Sequence, residues 1–303
     1  MKLLFNTIIL LFCTQFYAQG CSDAGFCSIE NTQNNIVKDS ILKNSIAVAV
    51  GYGKGHDNIN VINSYVQYDR IINNRFGVQA KLNFLNANGS LGNNSGLGDI
   101  ILSGSYQLSQ KKNYSIGFIG GLKIPLNNSN TKNNQGFALP LDYQTSLGTY
   151  DIIVGANVIW NKKWEINTGL QIPIIQDNNN SFFSYQYPST TAFVSTNNFK
   201  RKSDALVRLG YLFQPGNSRF LIKPSLLAIY HLGKDKYTTE TGNEMNINGS
   251  EGLTLNGVLT SVYTFKNNTK LEFVIAAPFQ YREVRPDGLT RSLVVNLQYK
   301  IPF

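Results

Sequence analysis

Residues 150–174 read YDIIVGANVIWNKKWEINTGLQIPI, and this stretch decides the fold. Tyr150, Ile152, Val154, Ala156, Val158 and Trp160 occupy every second position. After the polar run Asn161, Lys162 and Lys163, the spacing resumes with Trp164, Ile166, Thr168, Leu170, Ile172 and Ile174. A period of two puts one set of side chains on one face of a pleated strand. Two such runs joined by a short polar connection predict an antiparallel hairpin.

The same pattern extends in both directions. Upstream it runs through Ile46 to Tyr52, Ile62 to Tyr68, Phe76 to Phe84, Ile100 to Leu108 and Tyr114 to Ile124. Downstream it covers Ala205 to Phe213, Phe220 to Tyr230, Leu253 to Phe265, Leu271 to Tyr281 and Leu289 to Phe303, which makes twelve strands. Short turns fall near Asn73, Lys111, Asn161, Pro215 and Asn267. Connections of a dozen residues or more are expected around Asn93, Asn130, Asn180 and Thr239, with shorter ones of the same class near Lys54 and Asp287. Short turns alternating with longer loops suit an even-stranded barrel with both termini on one side.

Period alone does not separate a soluble sandwich from a membrane barrel. Aromatic residues do: Tyr68, Phe76, Tyr106, Tyr114, Trp160, Trp164, Tyr211, Phe213, Phe220 and Phe265 flank the short turns, as an interfacial girdle would. Outside the N-terminal region, no stretch approaches the roughly 18 apolar residues of a membrane helix. The last strand carries Leu293, Val295, Leu297, Tyr299, Ile301 and the terminal Phe303 on one face. That ending resembles the signal by which the barrel-assembly machinery recognises outer-membrane barrels. The expected fold is all-β, a transmembrane antiparallel up-and-down barrel of about twelve strands over residues 43–303, in the bacterial outer membrane.

The N-terminus carries export logic. Lys2 precedes the apolar run Leu3 to Phe12, and Ala18, Gln19 and Gly20 form a small-x-small cleavage site, so residues 1–20 read as a signal peptide. Residues 21–42 then form a periplasmic extension or a plug of the lumen. Cys21 and Cys27 make a small disulfide loop most simply, given an oxidising compartment. Lipidation of Cys21, and a metal site using Asp23 and Glu30, are the other readings of this segment. Charged residues are only 15% of the chain, and the net charge of +9 is scattered apart from Lys200, Arg201 and Lys202. No basic stripe marks a nucleic-acid surface. The Lys200 to Lys202 cluster is either a contact for lipopolysaccharide phosphates at the outer rim or a solubilising group.

If the apolar faces meet lipid, the intervening residues line the lumen. Lys81, Asp99, Asp151, Arg208, Lys223 and Arg282 are then the first candidates for a solute pathway. Gln79, Glu165, Gln171, His231 and Glu272 join them, interspersed with small or apolar positions such as Ala47, Ala49, Gly51, Ile153, Leu227 and Ile229. Twelve strands imply a narrow lumen, between filled eight-stranded barrels and open porins.

Ser95-Gly96-Leu97-Gly98-Asp99-Ile100, Leu122-Lys123-Ile124-Pro125 and Leu147-Gly148-Thr149-Tyr150-Asp151-Ile152 resemble motifs of the outer-membrane transporters linked to phenol degradation by the meta pathway. The resemblance runs from Val61 to Phe303. It implies passive passage of a small, often aromatic or hydrophobic solute. Lipid-hydrolysing barrels pair His with Ser two positions apart, because a serine nucleophile needs an adjacent base, and the barrel protease uses Asp with His near the outer rim, of which His56-Asp57 in a loop is only a faint echo. Neither His56 nor His231 has that neighbour, so no catalysis and no cofactor are expected. The alternative is a non-transporting barrel that acts through its loops. The loops at 126–144 and 175–203, the second with Phe182, Phe183, Tyr185, Tyr187 and Phe193, read as a constriction or lid in preference to an adhesive surface.

Overall fold

A strand facing hydrocarbon must find partners for every backbone N–H and C=O, because lipid offers none. The computed structural model describes residues 42–303 apart from positions 189, 191, 217, 289 and 290, and within it twelve strands meet that demand by closing on themselves. The expected signal peptide and the pair Cys21 and Cys27 lie outside the described residues.

The barrel strands are β1 (Asn44–Gly55), β2 (Asn60–Ile71), β3 (Phe76–Gly89), β4 (Gly92–Gln110), β5 (Tyr114–Pro125) and β6 (Thr149–Trp160). They continue with β7 (Trp164–Gln176), β8 (Asp204–Tyr211), β9 (Phe220–His231), β12 (Gly252–Thr264), β13 (Lys270–Gln280) and β14 (Arg291–Pro302). Each pairs antiparallel with its neighbour in the chain, except that β9 pairs with β12 across an inserted hairpin, β10 (Lys236–Thr238) and β11 (Glu244–Asn246). β1 pairs with both β2 and β14, which leaves no free edge. The seam is finished by reciprocal bonds between Asn44 and Phe303, at 3.1 and 2.8 Å.

Side-chain direction follows the expected alternation. Val48, Val66, Val154, Val207 and Leu297 face outward, and Val48 is 56% exposed. Their neighbours Ala47, Ala49, Ile153, Leu206 and Gln298 face inward, and Ile153 is 0% exposed. In water this apolar outer surface would be prohibitively costly; against acyl chains it is the required solvent face.

Trp160, Trp164, Phe213, Phe220 and Phe265 ring the end with short turns. Trp164 packs edge-on against Tyr211, with centroids 4.9 Å apart. Tyr52, Phe84, Tyr230 and Phe279 are exposed near the opposite end, so both headgroup levels have aromatic anchors.

The connection expected around Asn93 differs from the reading. β3 and β4 continue past the apolar zone as a polar ladder, pairing Asn86 with Ser95 and Asn88 with Asn93, and turn at Ser90 and Leu91. Above the membrane a strand needs no lipid-facing alternation, so its sequence looks like a loop while its backbone remains paired.

Candidate functional site

The lumen is lined by four sets of inward side chains, two charged clusters toward the long loops, an apolar zone below them and a polar wall toward the short turns. The first lies toward the long loops, where β4, β5 and β6 bring Asp99, Lys123 and Asp151 together. Lys123 Nζ is 3.0 Å from Asp151 Oδ2 and 3.6 Å from Asp99 Oδ2, and it donates to Thr149 Oγ1 at 2.9 Å. Gln171 Nε2 donates to Asp151 at 2.5 Å, and Ser146 Oγ to Asp99 at 2.5 Å. Asp99 and Asp151, both singled out by alternation, therefore meet through a lysine that the sequence reading passed over.

A second charged set begins on the neighbouring strands. His231, at the end of β9, lies between two carboxylates, with Nδ1 2.6 Å from Asp204 and Nε2 2.7 Å from Asp235. Arg201 pairs with Asp204 and lies 3.6 Å from Asp287. Arg282 binds Asp287 at 2.8 Å and donates to the Ser250 carbonyl at 2.7 Å. Burial disfavours the charge on Asp287, but the guanidiniums of Arg282 and Arg201 outweigh it and hold the carboxyl well below the usual range. Burial opposes the charge of Arg201 as well; Asp204, Asp287, Asp151 and Asp235 overcome it and raise its pKa.

These ion pairs tie loops 177–203 and 232–251 to the barrel wall through Arg201 and Asp235, and join 281–288 to those loops through Arg282 and Asp287. They correct one reading of the basic run. Arg201 is buried at the mouth, Lys200 pairs with Glu244, and only Lys202 remains exposed and without an ion pair among the described residues, so the run does not face lipopolysaccharide as a unit.

Above this network the loops share apolar cores. Ile59, Leu139, Tyr143, Phe182, Tyr187 and Phe193 form one, and Leu141, Leu147, Phe199 and Ile247 another. Asn180 Nδ2 donates to the carbonyls of Ser129 and Leu139 at 2.8 and 3.0 Å, joining loops 126–148 and 177–203. Tyr143 OH accepts from the Leu91 amide at 3.2 Å. Gly288, from the β13–β14 connection, reaches Asp142 of the β5–β6 connection, and these strand pairs stand on opposite sides of the ring. The loops therefore cross the mouth as a packed cap.

Below the network lies an apolar zone of Ile101, Ile119, Ile153, Leu206, Leu227, Ile229, Val258, Ala276 and Val294. Toward the short turns the wall becomes polar again. Lys300 Nζ is 2.8 Å from Asp69, which also accepts from Gln67, Gln79 and Ser45. Lys223 pairs with Glu165 at 3.0 Å, and Lys81 lies 3.5 Å from the centre of the Tyr65 ring.

The six residues proposed for a pathway thus do not form one site. Asp99 and Asp151 belong to the Lys123 cluster, Arg282 to the cap network, Arg208 and Lys223 to the surroundings of Glu165, and Lys81 to a separate part of the wall beside Tyr65. Lys123, Asp69, Asp204 and Lys300 were recoverable from alternation, since each stands between outward residues. Asp235 and Asp287 carried no such signal, because loops have no period.

A closed barrel, apolar outside and lined inside by paired charges, defines a β-barrel protein of the bacterial outer membrane. The chain belongs to the family described as "Putative MetA-pathway of phenol degradation", whose model matches residues 38–204. That span includes all three motifs quoted above and ends before β9.

Among solved structures, an outer membrane channel from Pseudomonas putida F1 is 13% identical, with 88% of this chain and 97% of that one covered at a TM-score of 0.60, and so has the same fold. The KdgM porin (10% identity, 86% and 99% covered, TM-score 0.45) and the NanC porin (8%, 85% and 98%, 0.49) are more distant. No curated protein matches the chain.

Proposed function

We propose that this protein is a passive outer-membrane channel for small solutes with partly apolar bodies, and that the conformation described is its capped state. The observation that carries this reading is the lumen wall. The apolar zone set between two polar ones is buried against itself in this capped state, and once its residues part it matches a solute with an apolar body. The family's link to phenol degradation and the channel fold of the Pseudomonas putida F1 protein agree with this choice. Ion pairs account for the charged lumen side chains without any chemistry, so no reaction is assigned.

Conductance across planar bilayers tests the reading. Discrete openings that grow more frequent when the cap is loosened support it. Electrical silence together with no solute entry into proteoliposomes, from correctly folded protein with and without an intact cap, would favour a barrel acting through its loops. We also propose that residues 21–42 form a periplasmic extension or enter the lumen as a plug, with Cys21 and Cys27 joined in a disulfide. In the same reading the strand ending at Phe303 is what the barrel-assembly machinery engages, and lipopolysaccharide contacts the outer rim.

A further inference from the structure

On the inner wall of β8, β9 and β12, Arg208, Leu227 and Asn256 stand in one row of the ladder, and Ile229 and Thr254 pair in the next row toward the loops. Ser225 faces inward one row toward the turns. Asn256 is 0% exposed, yet neither atom of its amide has a hydrogen-bond partner, and the same holds for Thr254 Oγ1, Ser225 Oγ and Arg208 Nε. Buried polar groups are almost always paired, and leaving an amide unpaired is costly. Five such atoms fall on four residues of adjoining rows. The β2–β3 wall also holds unpartnered amide oxygens on Asn63, Gln79 and Asn83, but those are acceptors beside a carboxylate, Asp69, that takes four donors, whereas the β8–β12 patch is rich in donors.

The chemistry of these atoms selects a ligand. Four of the five can donate, and Asn256 Oδ1 is the sole pure acceptor. Arg208 is a half-buried cation near enough to Glu165 to share its charge with Lys223, but among the described residues no carboxylate lies within 4.0 Å of its guanidinium. Leu227 and Ile229 stand beside the donors as members of the buried apolar cluster, so a ligand body would take the place of their present apolar neighbours.

We propose that Arg208, Asn256 and Thr254 form a binding subsite for small carboxylates with an apolar body. The anionic head takes the guanidinium and amide donors, and the body lies on Leu227 and Ile229. Arg208, three residues from the end of β8 at the turn side, gives the approach. This rests on the channel reading for its physiological sense, but binding itself does not require conduction.

The test is calorimetric titration of the full-length protein, folded in detergent, with benzoate, benzyl alcohol and benzylammonium, which share one ring and differ in the head group. Benzoate is expected to bind with Kd at least about tenfold below the other two. Arg208→Met and Asn256→Leu should each weaken benzoate at least about tenfold, and the near-isosteric Asn256→Asp should abolish its binding by placing a like charge at the head. Heat-modifiable migration in gels checks that each variant has folded.

Equal affinity for the three probes, or an unchanged benzoate Kd in folded Asn256→Leu and Asn256→Asp, overturns the subsite and leaves the patch as a solvated seam in the wall. Protein that binds benzoate but never conducts would refute the channel reading alone. Protein that conducts but does not bind would refute the subsite alone.

Discussion

Gly288 rests directly on the backbone of Asp142: a Cβ placed on it would lie 2.6 Å from both the nitrogen and the Cα of Asp142. The φ of Gly288 is +64°, a conformation that β-branched residues avoid. One contact without a side chain therefore joins connections that start from opposite sides of the barrel. Gly288→Val should detach the cap while leaving the strands intact. The expected result is more frequent channel opening and faster proteinase K cleavage in the β13–β14 connection, with unaltered heat-modifiable migration. A variant as protease-resistant and as quiet as the parent would show that this contact does not hold the cap.

The same latch predicts a pH dependence. Burial, and after it the neighbouring Asp287, push the Asp142 carboxyl up to about 7 from an ordinary value of 3.8. Between these values the undocked loop binds fewer protons than the docked one, so docking weakens as the pH rises through that window and levels off above about 7. Channel opening should be rarest in acid and reach a plateau near neutrality. Asp142→Asn should keep the channel quiet throughout, and a wild-type profile that is flat over this range would contradict the assignment.

Lys123 neutralises two carboxylates, Asp99 and Asp151, in the lumen wall. Lys123→Met leaves both without their cation, which for buried pairs costs about 3 kcal/mol. The urea midpoint for loss of the folded barrel should fall accordingly, and adding Asp151→Asn should restore part of it by removing one unpaired charge. Failure of the second substitution to recover stability would mean that Lys123 acts mainly through packing.

Outward alternation is tested at Val154, in the middle of β6 and 41% exposed. Val154→Arg should lower stability in liposomes by about 2–4 kcal/mol, the cost of an arginine near the bilayer midplane. Val154→Leu should be close to neutral. An arginine tolerated without loss would place this face in water and undo the membrane topology.

Very little of the strand plan needed the structure. The residues at 150–174 already carried two full strands and their turn, and the outward face of β14 was legible down to Phe303. The error at Asn93 came from the same source as those successes. Alternation reports contact with lipid, so it falls silent where β3 and β4 rise above the membrane while still bonded to each other. The basic run at Lys200 to Lys202 misled for a related reason, since three adjacent residues leading into a strand point in different directions and Arg201 turns inward.

The sequence by itself determined the number of barrel strands, though not the small hairpin of β10 and β11, and also which side chains face lipid and where the short turns fall, because a period of two is a local property that each segment displays alone. Only the tertiary structure decided that Lys123 serves both Asp99 and Asp151, that His231 is clamped between Asp204 and Asp235, and that Gly288 meets Asp142 over the mouth. Those pairings depend on ladder register and on loops crossing the ring. Residues far apart in the chain become neighbours only after the barrel has closed.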